Sequence, residues 1–575
     1  MLHLQGPGGP GSGPEKGDMM RDWVTWARRG LVLLAVGLVV AAIIGGVVLP
    51  RMKQSESTPS PDSPKATPST QAPPAVGSQT PGVPAVPVAE HAVWEAPAEP
   101  INPDRQLDYK ASGTPTVTLP DALGDTLQPY WEQTLSWEPC QGGQCTTVKV
   151  PLDWENPGRA ALDISVLRVP SANPTLGPLF VNPGGPGVGS KSLARSWGAD
   201  AWEGYDLVAW DPRGSGDSTH VQCGTTEQTD TAYTADSSPD DEAEKTALRE
   251  AWADFAKQCR DASGDLLDHI TTIENVRDLD LIRFLLGAEK LNYVGISYGT
   301  YIGAMYAELF PANTGRLVLD SAVDITNDQE VAQVEGFQLA FDNYADWCVA
   351  EGDCPLGDSR EEVGRTVSEF LTGLDAKPIE VGDRRINQAV GVTGIALFLY
   401  QGAELYPLLS ETIVAAMAGD GEALLRASDA LNGREPDGWD TQAYAFPAIR
   451  CVDGYDHGIA DLEGEWQKLI PKAPLFAPHM GMEPTCELWT AGSAPHLKLT
   501  GQGAAPILVV GSTGDSATPY QHAVTMAEQL ESGHLLTYDG PGHGAVSTNN
   551  PCVDEAIDAY LREGTLPAEG TVCTP

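Results

Sequence analysis

The chain has 575 residues, of which 20% are charged, and its formal net charge at pH 7 is −44. So acidic a chain, without a basic stripe, excludes a nucleic-acid partner because the phosphates would be repelled. The length exceeds that of one minimal domain, and it suits one enlarged domain that carries a large insertion and a tail.

An apolar run near the N-terminus predicts a membrane anchor. Residues 30–49 contain no charge, and the run is close to the ~20 residues that a helix needs to cross a bilayer. The basic residues that flank it favour a cytoplasmic segment at residues 1–29. A cleaved signal peptide is the alternative, but no small-residue cleavage site follows the run. We therefore predict a single-pass membrane protein whose remainder is extracytoplasmic, or secreted if the run is cleaved.

The next segment, residues 50–105, is rich in Pro, Ser and Thr and nearly lacks large apolar side chains. A segment of this composition cannot bury a core and stays extended. We interpret it as a linker that holds the following domain away from the bilayer.

All ten cysteines lie beyond the apolar run. An even count in that position predicts disulfides and an oxidising compartment. The sequence alone leaves the connectivity open. Pairing neighbours in order would give Cys140–Cys145, Cys223–Cys259, Cys348–Cys354, Cys451–Cys486 and Cys552–Cys573.

Short apolar runs bounded by turn residues predict buried parallel strands in two parts of the chain, residues 106–323 and 504–575. A helical pattern from Ile273 separates two of these runs, and its predicted buried face comprises Val276, Leu279, Ile282, Phe284, Leu285 and Leu286. Alternation of strands and helices predicts a doubly wound α/β sheet. The clearest predicted strands are 179–182, 206–210, 291–296, 316–320, 506–510 and 534–538.

The stretch between these two parts, residues 324–503, is dominated by helical patterns and shows no strand–helix unit. We expect a mostly helical cap inserted over the carboxyl ends of the strands. A separate domain with its own function remains the alternative.

A candidate nucleophile lies in the sequence VGISYGT at residues 294–300. Gly295, Ser297 and Gly299 match the pattern GxSxG directly after a predicted strand and before a helical pattern. A sharp turn there would place Ser297 in a strained, exposed position, and its glycines are needed because a Cβ would clash. We predict that Ser297 is a nucleophile.

A serine hydroxyl needs a base to accept its proton and a carboxylate to orient that base. His543 follows the last long predicted strand, and Asp515 follows the strand before it, in the expected order of acid and then histidine. Asp320 at the end of run 316–320 is the rival acid, although it could equally brace a loop. We favour Asp515 because Gly511 and Gly514 make an open turn there.

Donors for a developing oxyanion are also present in the sequence. The backbone N–H of Tyr298 follows the nucleophile, and NPGGPGVGS, after the run 179–182, offers glycine N–H groups at Gly184 and Gly185. A phosphate cradle is the alternative, but the loop lacks the lysine and the spacing of a P-loop. We predict an oxyanion hole.

With these motifs in place, the chain resembles the secreted bacterial tripeptidyl aminopeptidases, relatives of the prolyl aminopeptidases within the α/β-hydrolases. The resemblance implies an α/β-hydrolase fold with Ser297, Asp515 and His543 as its triad and Thr518 supporting the acid. The mechanism predicted for this triad needs no metal or cofactor. It extends in pieces over about residues 137–573. These pieces are WEPCQGGQCTTVKVPLDWENP, LFVNPGGPG, YDLVAWDPRGSGDST, YVGISYGT, RLVLDSAVD, AIRCVDG, CELW and DSATP.

The resemblance also implies removal of short peptides from free N-termini, and recognition of a substrate amine would require a carboxylate. Asp453 in RCVDG is the candidate because that segment matches the family, with loop bracing as the alternative role. An esterase or lipase acting on small esters with the same triad remains open. A non-catalytic binding module is disfavoured because all three triad positions are filled. The sequence does not indicate an oligomeric state.

Overall fold

The computed structural model describes most of the chain beyond residue 110. The predicted cytoplasmic segment 1–29, the apolar run 30–49 and the linker 50–105 lie outside the described residues. Among the helices that are described, none has both the length and the apolar character that crossing a membrane requires. The described residues are 111–199, 201–326, 331–454, 462–492 and 494–575.

A sheet of ten strands forms the centre of the described fold, in the order β1-β2-β3-β5-β4-β6-β7-β12-β13-β14. Strands β1, β2, β3 and β5 pair antiparallel, whereas the neighbours from β5 through to β14 pair parallel. The strands are β1 Glu138–Cys140, β2 Gly143–Pro151, β3 Ala161–Val169, β4 Gly177–Asn182, β5 Tyr205–Trp210, β6 Leu291–Ile296, β7 Thr314–Asp320, β12 Ile507–Gly514, β13 Gly533–Pro541 and β14 Val572–Cys573.

All six strands that the apolar runs predict are present, as β4, β5, β6, β7, β12 and β13. The antiparallel edge formed by β1, β2 and β3 was not predicted. Strand β2 carries polar residues between its buried ones, because one of its faces meets solvent, and so it contains no continuous apolar run. A search for buried parallel strands therefore passes over it.

Helices cover both faces of the sheet, each face having its own apolar core. The predicted helix from Ile273 is α5, Thr272–Leu285, and Val276, Leu279 and Ile282 are fully buried as expected. The last three residues of the predicted face, 284–286, are only half-buried, because the helix ends there. Its polar residues are buried as well, Asp278 among them, so α5 is enclosed on every side. These helices are α1 Gln128–Trp131, α2 Lys191–Trp197, α3 Thr226–Tyr233, α4 Glu242–Ser263, α5 Thr272–Leu285, α6 Tyr298–Leu309, α15 Tyr520–Gln529 and α16 Pro551–Glu563.

The segment between β7 and β12 is mostly helical, and most of its helices share a separate apolar core. Helix α12, Thr441–Asp453, differs, because its Ala445, Ala448 and Ile449 belong to one of the two apolar cores of the sheet. An α/β sheet with a helical insertion confirms the predicted fold class. The elements of the insertion are α7 Gln333–Ala350, α8 Arg360–Ala376, β8 Ile379–Val381, β9 Arg384–Ile386, α9 Gln388–Tyr400, α10 Tyr406–Met417, α11 Glu422–Asn432, β10 Arg434–Glu435, β11 Gly438–Trp439, α12 Thr441–Asp453, α13 Leu462–Leu469 and α14 Phe476–Met480.

All ten cysteines form disulfides, and the connectivity is the one given by pairing neighbours in order. No cysteine is free. The prediction of a disulfide framework is therefore confirmed, and this framework is typical of proteins that fold in an oxidising compartment.

Candidate active site

Ser297 lies in the tight turn between β6 and α6. Its φ of +57° is uncommon for a residue with a Cβ, and such strain concentrates at functional sites. The flanking glycines make the turn possible. A Cβ on Gly295 would lie 2.4 Å from the carbonyl oxygen of Gly299, and one on Gly299 would lie 2.9 Å from that of Asn182. Neither position has room for a side chain.

His543 and Asp515 are hydrogen-bonded to each other. His543 lies in the loop after β13, and Asp515 directly follows β12, its parallel neighbour in the sheet. The Nδ1–H of His543 donates to Asp515, with Nδ1 2.8 Å from Oδ1 and 3.0 Å from Oδ2. Asp515 is 1% exposed, so its charge acts on the imidazole with little screening by water.

The pair shifts both pKa values. Burial alone would lower the pKa of His543, but the charge of Asp515 and the hydrogen bond to it outweigh burial and raise that pKa. For Asp515, burial acts to raise the pKa, but His543 and the donors around the carboxylate lower it overall. The carboxylate therefore stays ionised and stabilises a protonated imidazole beside it.

Thr518 and the backbone after Asp515 hold the carboxylate in place. The N–H groups of Ala517 and Thr518 each donate to Asp515 Oδ1 at 2.9 Å. The Thr518 hydroxyl lies 3.1 Å from Oδ2 and 3.3 Å from His543 Nδ1. These contacts fit the supporting role that the resemblance implies for Thr518.

Asp320, the rival acid, ends β7 and binds the backbone that follows His543. Its carboxylate accepts the N–H of Val546 at 2.8 Å and that of Ala545 at 3.2 Å. Burial raises the pKa of Asp320 to about 6. No hydrogen bond joins Asp320 to the ring of His543 among the described contacts, so the geometry corresponds to the loop-bracing alternative.

The predicted oxyanion donors lie around Ser297 but are not equivalent. Tyr298 is the first residue of α6, where an N–H has no partner within the helix. A Cβ on Gly184 would lie 2.8 Å from the Cβ of Ser297, so only glycine allows the loop to approach this closely. The N–H of Gly184, however, donates to Asn182 Oδ1 at 2.9 Å. Gly185 thus remains as the donor that the loop can offer.

A cavity of about 870 Å³ opens beside these residues. Ser297, His543 and Gly185 lie in its wall on the sheet side, so the candidate nucleophile and base face one space. The insertion supplies much of the remaining wall. Tyr400 and Phe446 are among its contributions, from the end of α9 and the middle of α12.

Asp453, the predicted amine-binding residue, does not line this cavity. It is 7% exposed, and its carboxylate accepts the backbone N–H of Thr272 at 2.8 Å and the Thr272 hydroxyl at 2.6 Å. Burial raises its pKa to about 7. The bracing alternative therefore describes its position, at the C-terminal end of α12, where it holds the start of α5.

Sequence reasoning missed several residues of the insertion that line the cavity. Glu404 and Glu483 contribute carboxylates, and Glu483 pairs with Arg450 at 3.0 Å. Tyr400 accepts the N–H of His543 through its backbone carbonyl at 3.0 Å, and its ring lies edge-on to the imidazole. No local pattern distinguishes these residues, because their positions depend on how the insertion folds back over the sheet.

Two groups of described residues have carboxylate or imidazole atoms close enough together for a metal ion, but neither lines the cavity. In the first, Asp153, His269 and Glu274, ion pairs to Arg159 and Arg213 already supply positive charge. The second comprises Asp236, Glu244 and Asp375.

Comparison with known proteins supports the resemblance. A family model described as TAP-like protein matches residues 473–573. The chain is 32% identical to a tripeptidyl aminopeptidase of Streptomyces coelicolor, over 77% of this chain and 86% of the relative. It is also 32% identical to serine protease Hip1 of Mycobacterium tuberculosis, over 78% and 92%. A carboxylesterase B of M. tuberculosis is 33% identical, over 80% and 95%.

This sequence identity extends over most of both chains, and it agrees with the α/β sheet, its helical insertion and the strained serine turn. The chain belongs to the tripeptidyl aminopeptidase family of the α/β-hydrolases, and it is a serine hydrolase.

Proposed function

We propose that the chain is an extracytoplasmic serine peptidase that removes short peptides, namely tripeptides, from free N-termini. Ser297 is its nucleophile, His543 its base and Asp515 its acid. The observation that carries this proposal is the His543–Asp515 hydrogen bond at the wall of the cavity that Ser297 also lines. The five disulfides support an oxidising compartment outside the cytoplasm.

The mechanism follows from these roles. His543 takes the proton of Ser297 while the serine oxygen attacks the acyl carbon, and Asp515 stabilises the imidazolium that forms. The N–H groups of Tyr298 and Gly185 hold the oxyanion of the tetrahedral intermediate. His543 then protonates the leaving amine as the C–N bond breaks. A water that His543 deprotonates attacks the ester bond of the acyl-enzyme, which frees the peptide as its carboxylate and restores the Ser297 hydroxyl.

The insertion provides the space and the charge that a peptide requires. The cavity volume of about 870 Å³ is within the range of ligand pockets in proteins, and it leaves room for a ligand larger than a short acyl ester. Glu404 lies in the cavity wall with its carboxylate exposed and without an ion pair among the described residues. We assign to Glu404 the binding of the substrate ammonium, in place of the enclosed Asp453. The proposed cap comprises residues 324–503, between core parts 106–323 and 504–575.

An esterase is the second candidate function, because one relative of similar identity is named carboxylesterase B. The triad chemistry is shared, so the substrate distinguishes the two candidates. The purified full-length chain should be assayed on a free-amine tripeptide anilide, its N-acetylated form and a short acyl ester. The peptidase proposal expects the highest kcat/KM on the free-amine anilide. A preference for the ester would support the esterase instead.

The role of Glu404 is tested in the same assay with Glu404→Gln. We expect KM for the free-amine anilide to rise roughly fivefold, the upper range for a solvent-accessible ion pair. The acetylated substrate should show no change, because it carries no ammonium. Glu411→Gln is the matched control, since Glu411 is an exposed glutamate of α10 outside the cavity wall. An equal change on both substrates would contradict the assignment.

The pH profile tests His543 as the base. Only neutral imidazole can accept the serine proton, so kcat/KM should rise with pH and level off above the pKa of His543. Asp515 raises that pKa, and the midpoint should therefore lie above about 6.5, the ordinary value for histidine. Constant kcat/KM from about pH 4 to 9 would exclude histidine as the base.

A further inference from the structure

A buried chain of three side chains joins the insertion to the residue after the candidate nucleophile. It begins at Asp453, the last residue of α12, whose two carboxylate oxygens accept the N–H and the hydroxyl of Thr272. Thr272 is the first residue of α5, and its hydroxyl also contacts the hydroxyl of Tyr298. The exposed fractions are 7% for Asp453, 0% for Thr272 and 9% for Tyr298.

The direction of the hydrogen bonds follows from the acceptor at one end of the chain. The Thr272 hydroxyl donates its proton to Asp453, which can only accept when its carboxyl is ionised. The remaining lone pairs of that hydroxyl then accept the proton of Tyr298. Each member of the chain is satisfied, and the Tyr298 ring is held at its far end as well as at its backbone.

The middle of α12 supports the other side of the predicted oxyanion hole. A Cβ on Gly187, in the glycine loop, would lie 2.8 Å from both the Cβ of Ala445 and the backbone nitrogen of Phe446. The loop therefore rests directly on this helix. The start of α12 is also fixed to the core, because the Thr441 hydroxyl accepts the N–H of Gly216 at 2.9 Å.

We propose that α12 is a positioning element for the oxyanion hole: Asp453 orients Tyr298 through Thr272, while Ala445 and Phe446 support the glycine loop. Both donors of the hole thus take their positions from one helix of the insertion. Phe446 also lines the cavity, so a bound substrate contacts the same helix that aligns the donors. The inference rests on the proposed function, since it requires the Tyr298 N–H to bind the oxyanion.

The test compares two buried tyrosines of α6. Tyr298→Phe removes the hydroxyl that contacts Thr272 but keeps the backbone N–H. Tyr306→Phe removes the hydroxyl of another buried tyrosine, which donates to Asp280 at 2.7 Å and does not line the cavity. We expect kcat of Tyr298→Phe to fall about tenfold with KM unchanged, a fraction of the cost of deleting an oxyanion donor outright. Tyr306→Phe should keep the parental kcat.

The Thr272 variants separate positioning from folding. Thr272→Val, which lacks the hydroxyl, should lower kcat as Tyr298→Phe does, whereas Thr272→Ser should retain the parental kcat. The double variant Thr272→Val/Tyr298→Phe should be no slower than the slower single variant, because both break one chain. All values are expressed per active site, titrated with a fluorophosphonate.

Two results would overturn the inference: equal kcat for Tyr298→Phe and Tyr306→Phe, or a change confined to KM. Failure of the proposed function is distinguished by Ser297→Ala. If Ser297→Ala is inactive but the two tyrosine variants match, only the positioning role of α12 is wrong. If Ser297→Ala keeps full activity, the proposed triad itself is wrong.

Discussion

Replacing Ser297 with alanine should lower kcat on the tripeptide anilide by about a million-fold, the scale seen when a serine nucleophile is removed. The oxyanion donors and the cavity would remain, so binding should persist with KM little changed. Single-turnover assays with enzyme in excess would measure the residual rate. The fluorophosphonate should no longer label the protein.

Ser532→Ala is a suitable control for this variant. The Ser532 hydroxyl binds the carbonyl oxygen of Ala505 at 3.0 Å, next to the start of β13 and away from the cavity. Its kcat should equal that of the parent. Activity of Ser297→Ala within about a hundredfold of the parent would contradict the nucleophile assignment, since backbone donors alone cannot supply so much.

The second large effect is expected at Asp515. Asp515→Asn keeps the shape of the side chain but removes the charge that orients and stabilises the imidazolium, so kcat should fall about ten-thousand-fold. The midpoint of the pH profile should also move to lower pH, because the group that raises the pKa of His543 is gone. The melting temperature should change less than the activity does.

Asp320→Asn is the matched comparison, a second buried carboxylate whose contacts are with the backbone after His543. The two N–H groups donate to different oxygens of Asp320, and in asparagine one of these oxygens becomes an NH2 group that cannot accept. The free energy of unfolding should therefore drop by about 1–3 kcal/mol. Its kcat should stay within about tenfold of the parental value. The opposite result, with Asp320→Asn the slower enzyme, would make Asp320 the acid.

The central strands could be predicted because parallel strands buried on both faces appear as continuous apolar runs. Ser297, Asp515 and His543 each follow such a run, directly or in the loop after it, so the candidate triad was visible as polar residues at strand ends. The edge strands β2 and β3 lacked this pattern. Pairing neighbouring cysteines in order was the simplest disulfide connectivity, but the sequence alone could not select it, because the choice depends on which cysteines the fold brings together.

Other features were invisible for physical reasons. Arg213 is fully buried and binds Asp278 through two nitrogens, at 2.6 and 2.7 Å, although 65 residues separate them. Such a pair depends on tertiary packing, and the local sequence around either residue does not predict that it is buried. The same holds for Asp453, since a motif specifies a residue type and not the direction of its side chain. Gly184 was selected for its N–H, which Asn182 turns out to occupy.

Each of the five disulfides joins two cysteines of the same part of the chain. Two lie within the segment between β7 and β12, three lie outside it, and none links that segment to the remainder. The catalytic sheet and the segment that shapes the cavity thus have independent covalent frameworks, joined only by the polypeptide at two points. Removing or exchanging the whole segment would therefore leave no unpaired thiol in the rest of this chain. Chimeras made at these two junctions should form their native crosslinks.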